Sequence, residues 1–153
     1  MGIDDRLREL GIELPPAPKP VASYVPVVVA GGLAFVAGQI ALEDGRALHP
    51  GRVGDDVSVE EAREATRRCT LQALAALKHE LGTLDRLQRI VQVSVFVVSD
   101  PNFTDLPQVA NAASELFAEV LGDAGRHARA TVGVAVLPLG VPVEVAVVAE
   151  VGE

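Results

Sequence analysis

Near the C-terminal end, the segment Gly125-Arg126-His127-Ala128-Arg129-Ala130-Thr131 gathers two arginines and a histidine at the start of a predicted strand. These cations stand out because acidic residues outnumber basic ones, 21 to 13. A guanidinium is a planar fork that grips a carboxylate through paired charge-assisted hydrogen bonds. Each such bond contributes about 1.5–3 kcal/mol in a sheltered site. Arg129 therefore points to capture of a small carboxylate, and a surface or intersubunit salt bridge accounts for the same residues. Glu144 stands between Val143 and Val145 on the last predicted strand, where alternation places it with Ala146, Val148 and Glu150. An outward-facing glutamate is ordinary there, and a functional role is the alternative reading.

Other chemistries find little support. His49, His79 and His127 lack paired-ligand spacing, so no metal site is expected. Cys69 and His79 are ten residues apart on one predicted helix, a separation of about 15 Å that rules out a nucleophile–base pair. Cys69 reads as an inert core residue and His79 as a solvated one. Neither Gly31-Gly32 nor Gly51-Arg52-Val53-Gly54 leads into a helix as a phosphate-binding loop would. A net charge of −8 argues against a broad nucleic-acid surface.

The elements that must position these residues are legible in outline. Asp4 to Leu10 has room for one or two helical turns. Leu14-Pro15-Pro16-Ala17-Pro18-Lys19-Pro20 breaks regular structure and reads as an extended arm. Val25 to Val29 and Leu33 to Ile40 form a predicted hairpin around Ala30-Gly31-Gly32. Ser58 and Glu61 make a capping box for a helix carrying Ala62, Ala65, Cys69, Leu74, Leu77 and Leu81, stopped by Gly82. Ile90 to Val98 is a predicted strand. A second helix begins near Pro107, presents Val109, Ala113, Leu116, Phe117 and Val120, and ends at Gly122. Ala130 to Val136 and Val143 to Val151 are the last strands, flanking Leu137-Pro138-Leu139-Gly140. This order predicts an α+β fold: a mixed sheet with two long helices on one face.

The 153 residues fit a single domain, residues 1–153, in which 1–20 form an N-terminal extension ending in the proline-rich arm. The hydrophobic fraction is 49% with only 3% aromatics. Yet no apolar run approaches the ~20 residues of a bilayer span. The surplus fits surface buried between subunits, and the bare, Val-rich sheet face would need a partner. With one cysteine, no basic-then-apolar leader and Arg6 where acylation favours Ser or Thr, a cytoplasmic location without a membrane anchor is expected.

From Tyr24 onward the chain resembles the RidA/YjgF family of reactive-intermediate deaminases. The resemblance rests on Tyr24 followed fourteen residues later by Gly38-Gln39-Ile40, on Asn111-Ala112 with Glu115 and Phe117, and on Ala128 to Val132, Val136-Leu137-Pro138 and Val143-Glu144-Val145. It implies a chorismate-mutase-like fold and a homotrimer with ligand sites between subunits. It also implies hydrolysis of 2-imino or enamine acids to 2-keto acids and ammonia, with no metal or organic cofactor. By position, Arg129 resembles the carboxylate-binding arginine and Glu144 the carboxylate that positions water. Tyr24 resembles the pocket tyrosine, Gly38 and Thr131 the sources of backbone contacts, and Asn111 a pocket-supporting asparagine. Ser114, where many members carry an aromatic, Pro26, and the approach Gly122 to His127 depart from the pattern.

A strand-register argument bears on the same point. If the last two strands pair around Leu139-Gly140, Arg129 lies opposite about Glu150 and Glu144 opposite about Ala135. About six strand residues, or about 20 Å, then separate Arg129 from Glu144. The two would meet only across chains. Binding or sensing of 2-keto acids without catalysis is the alternative reading; RNA cleavage and a purely structural oligomerisation role are weaker ones.

Overall fold

The computed structural model describes residues 2–19 and 23–153. Pro20, the expected end of the arm, lies outside them. A short helix α1 (Ile3–Glu9) buries Leu7. Asp4 Oδ2 accepts hydrogen bonds from Thr83 Oγ1 at 2.6 Å and the Leu84 N–H at 3.3 Å. The N-terminal segment is thereby tied to the main body, with Ile12 and Leu14 laid against the core.

Strands β1 (Val27–Ala30) and β2 (Leu33–Ile40) form the expected hairpin. Its two turn residues, Gly31 and Gly32, both have positive φ, 60° and 77°. That conformation suits a tight two-residue turn and favours glycine. Ala30 pairs with Leu33, so it belongs to the strand and not to the turn. A second small hairpin joins β3 (Leu42–Glu43) to β4 (Arg46–Ala47).

Helix α2 (Val59–Leu81) begins at the capping box. The Glu61 N–H donates to Ser58 Oγ at 3.1 Å, and the Ser58 N–H donates to Glu61 Oε1 at 3.0 Å. Ser58→Ala should cost about 1 kcal/mol of stability, read as a lowered denaturant midpoint with unchanged m-value. Cys69 is fully buried on the inner face, and burial pushes its thiol up, so it stays an unreactive thiol. His79 is exposed.

Strand β5 (Leu87–Val98), helix α3 (Leu106–Leu121), strand β6 (Ala128–Val134) and strand β7 (Val143–Val151) complete the fold. The sheet order is β1-β2-β7-β5-β6, with β5 and β6 parallel and every other junction antiparallel. Val93, Val95 and Val97 on β5 and Val143, Val145 and Val147 on β7 are buried under α2 and α3. The opposite face leaves Val28, Phe35 and Val132 exposed. Among the described residues no helix is long and apolar enough to cross a membrane.

The expected pairing of the last two strands is wrong. β6 lies parallel to β5 after the α3 crossover, and β7 inserts between β5 and β2. The Leu137–Gly140 segment is no hairpin turn; it crosses the end of β5, where the Val98 N–H donates to the Pro142 carbonyl at 2.9 Å. Burial explains the choice. Val143, Val145, Val147 and Ala149 all need helix cover, which a central strand receives. β6 contains no fully buried residue, the pattern of an edge strand.

Candidate functional site

Arg129 is in the second position of β6, opposite Val93, on the helix-covered side of the sheet. Its Nη1 donates to Asn111 Oδ1 at 2.8 Å and to Ser114 Oγ at 3.0 Å. Asn111 and Ser114 are three residues apart on α3 and therefore share one helix face. Both partners are neutral, so the guanidinium charge is oriented without being neutralised. A cleft of about 330 Å³ opens beside it, lined by Ser114, Ala118, Gly125, Arg126, His127 and Arg129.

The turn before β6 closes this cleft. Gly125 is pressed against α3 so closely that a Cβ there would lie 2.5 Å from the Phe117 carbonyl carbon. Its carbonyl reaches His127 Nδ1 at 2.6 Å, and His127 Nε2 reaches Ser114 Oγ at 2.9 Å. Phe117 packs edge-on to the imidazole, 5.8 Å between ring centroids. Burial, and secondarily the Arg129 charge, hold the His127 pKa below its usual value; the Gly125 hydrogen bond opposes them. Thr131 lies two residues beyond Arg129 on the same side of the strand. Its Oγ1 is buried and has no hydrogen-bond partner among the described residues.

Glu144 stands on the opposite, open face of the sheet, as alternation predicts, with Val143 and Val145 buried on either side. Partial burial raises its carboxyl pKa. The neighbouring strand is bulged. Val36 pairs with Val147 but Gln39 pairs with Val145, so β2 carries one extra residue across this step. Gly38 lies in the bulge against Glu144, and a Cβ at Gly38 would sit 2.8 Å from Glu144 Cδ. Tyr24 and Gly38 line a narrow cavity of about 70 Å³ with Lys19, Gln39 and Ile40. The structure thus gathers Tyr24, Gly38 and Glu144 in one corner, and Arg129, Asn111 and Thr131 in another.

Gly38→Ala should displace the Glu144 carboxylate while the chain stays folded, since the atoms in the way are the end of a side chain and not backbone. A melting temperature near that of the wild type, with a large loss of any Glu144-dependent activity, is the expected pair of readings.

The two corners are well separated in one chain. Arg129 pairs with Val93 and Glu144 with Phe96, so they are two strand spacings and three residues apart. That is about 14 Å along the sheet, to opposite faces. The separation is shorter than the 20 Å reckoned from a β6–β7 hairpin, because the offset along the strands is three residues and not six, although β5 adds a second strand spacing; two residues this far apart and on opposite faces do not reach one small ligand within one chain.

Three supporting residues are not among the expected site residues, although His127 lies in the cationic segment and Ser114 at a departure from the family pattern. Gln72 projects from α2 to the end of β2, donating to the Ile40 carbonyl at 2.7 Å and accepting from the Leu42 N–H at 3.2 Å. A buried glutamine on the apolar face of a helix is the one signal that could have marked it. Ser114 and His127 are thirteen residues apart, and nothing in the spacing alone joins them.

The fold has counterparts in known proteins. Residues 4–151 match the family model described as "YjgF/chorismate mutase-like, putative endoribonuclease". Protein TCP17 of Trypanosoma cruzi is 44% identical over 140 residues, covering 91% of this chain and 88% of that protein. A crystal structure of an Agrobacterium tumefaciens protein of unknown function is 42% identical, covers 98% of this chain and 92% of its own, and superposes with a TM-score of 0.90. A "putative endoribonuclease" from Shewanella oneidensis is 31% identical, with 99% and 100% coverage and a TM-score of 0.94. A match that runs from α1 to the last residue of β7, joined to relatives that share the whole fold, makes this chain a member of the YjgF/RidA family.

Proposed function

We propose that this protein hydrolyses small 2-imino or enamine acids to 2-keto acids and ammonia, at sites formed between the chains of a homotrimer. The observation that carries the reading is Arg129, a part-buried cation that lines a cleft and is oriented by two neutral side chains, both through Nη1, with no protein partner for Nε or Nη2 among the described residues. That arrangement suits a ligand that brings its own carboxylate. Glu144, with Gly38 and Tyr24, would come from the neighbouring chain, because one chain holds the two corners on opposite faces of the sheet. The exposed Val28, Phe35 and Val132 supply an apolar surface for such a partner.

Arg129 fixes the substrate carboxylate, and the Gly38 backbone carbonyl orients the imine nitrogen. Glu144 accepts a proton from water as its oxygen attacks C2. Glu144 returns that proton to the carbinolamine nitrogen, the C2–N bond breaks to release ammonia, and the C2 hydroxyl gives up its proton as it becomes the carbonyl of the 2-keto acid. An imine is already electrophilic, so positioning and a general base account for the catalysis asked of the protein. RNA cleavage, the activity in the names of some relatives, would need a cationic track that a net charge of −8 does not favour.

The test follows ammonia and keto-acid release from freshly generated 2-aminoacrylate and 2-iminobutanoate. Acceleration by the wild-type protein is the expected result. Saturable 2-oxobutanoate binding without any acceleration would overturn catalysis and leave a keto-acid sensor.

A further inference from the structure

The hydrogen bonds around Arg129 have one allowed direction. Gly125 offers a carbonyl oxygen, which only accepts, so His127 must carry its proton on Nδ1. In the neutral ring, Nε2 is then an acceptor, and the Ser114 hydroxyl donates to it. The Ser114 oxygen is left to accept from Arg129 Nη1. Asn111 takes the other Nη1 hydrogen. Both protons on that side of the guanidinium are used within the chain, and only the Nε–Nη2 edge remains for a ligand.

We propose that Ser114 and His127 are positioning residues for the ligand carboxylate. They occupy Nη1 so that the anion docks on the Nε–Nη2 edge, and protonation of His127 turns the Ser114 hydroxyl toward that same anion. This role rests on the carboxylate-binding reading of Arg129. When Nε2 gains a proton it donates to Ser114, whose own hydrogen must find another acceptor; a carboxylate in the cleft is one. Acidification then adds a positive charge and a hydrogen bond together, and carboxylate binding draws in a proton.

The groups around the imidazole fit this linkage. From β6 comes Arg129, whose charge opposes protonation until an anion offsets it. From the preceding turn come Asp123 and Arg126, paired with each other at 3.7 Å and exposed. From β5, Arg89 donates to the Arg126 carbonyl at 3.0 Å. From α3, Ser114 and Phe117 meet the ring, and Glu115 is paired with Arg63 instead. Ser114 and His127 both lie outside the buried core.

Nitrogen-15 NMR of the histidine rings in the full chain, with His127→Gln to assign the signals, reads the direction of the chain without any ligand. The expected neutral tautomer carries its proton on Nδ1, and adding 2-oxobutanoate raises the pH at which His127 titrates. Calorimetry with 2-oxobutanoate forms the second arm. Ser114→Ala should weaken binding about tenfold, the loss of one charge-assisted contact, and Ser114→Thr should restore most of it. Affinity should rise from pH 8 to pH 5.5 in the wild type and in Glu144→Gln, and stay flat in His127→Gln. An Nε2–H tautomer overturns the proposal. So do wild-type affinity and pH dependence retained in both Ser114→Ala and His127→Gln, an outcome that spares the carboxylate reading. A wild type that binds no 2-oxobutanoate overturns that reading and this role with it.

Discussion

Arg129→Ala should reduce imine turnover to the uncatalysed rate while the protein remains folded. Losing a bidentate grip removes two charge-assisted bonds of about 1.5–3 kcal/mol each, or about two to four orders of magnitude in carboxylate capture. The fold tolerates the change because β6 is an edge strand and both partners of Arg129 are neutral; no buried carboxylate is stranded. Keto-acid release from 2-iminobutanoate, read beside the thermal midpoint, checks both halves. Turnover within a few-fold of the wild type would refute the assignment.

The same variant tests where the site is assembled. In a closed ring, each interface takes one surface from each neighbour. When Arg129→Ala and Glu144→Gln chains are refolded together one to one, about a quarter of the interfaces pair an intact Arg129 with an intact Glu144. The mixture should recover about a quarter of wild-type turnover from two nearly inactive preparations. A mixture no more active than the two variants apart would rule out a site that takes Arg129 from one chain and Glu144 from its neighbour.

Glu144→Gln should lower kcat by about a hundredfold or more, the range lost with a general base, and leave KM nearly unchanged. As a general base Glu144 would act in its carboxylate form, and partial burial raises its pKa. Activity should therefore fall on the acid side at a higher pH than an ordinary glutamate would give, with the basic limb untouched by this group. Stability should respond with the opposite sign. A carboxyl whose pKa is higher folded than unfolded contributes stability below its unfolded pKa and loses it as pH rises through the folded value. At neutral pH the ionised Glu144 thus costs stability. Glu144→Gln should melt above the wild type at pH 7 and level with it near pH 4, which a pair of thermal scans reads directly.

Local pattern carried the elements a long way. Leu33–Ile40 and Val143–Val151 are strands with the expected bounds, because alternation of small and branched apolar residues between turn residues leaves few other choices. The Ser58–Glu61 box marked the start of α2, and Gly82, at φ 84°, marked its end. β5 starts at Leu87, earlier than its apolar run, because buried Leu87 pairs with Val151 of β7, while the exposed Gln88 and Arg89 break the apolar pattern between Leu87 and Ile90. β6 spans Ala128–Val134, which places Arg129 inside the strand. Its polar and glycine content made that boundary hard to see.

The strand order was not legible. Leu137-Pro138-Leu139-Gly140 reads as a hairpin turn by composition, and a short connection normally joins neighbours. What moved β7 to the centre is a quantity no window of sequence contains: how much helix surface covers each strand position. The bulge at Ala37-Gly38 is hidden for a related reason, since it exists only as a mismatch of count between β2 and β7. Without it Gln39 would point outward, and Gly38 would not face Glu144.

The residue types were determined by the sequence alone: a guanidinium suited to a carboxylate, a carboxylate alternating out of an apolar strand, a glycine where backbone must come close. These follow from side-chain chemistry and short-range periodicity. Tertiary structure alone decided that Arg129 lies under α3 and Glu144 on the bare face, and that Ser114 and His127 close around the arginine. Such partnerships depend on packing between elements distant in the chain, and only the folded geometry brings those elements into contact.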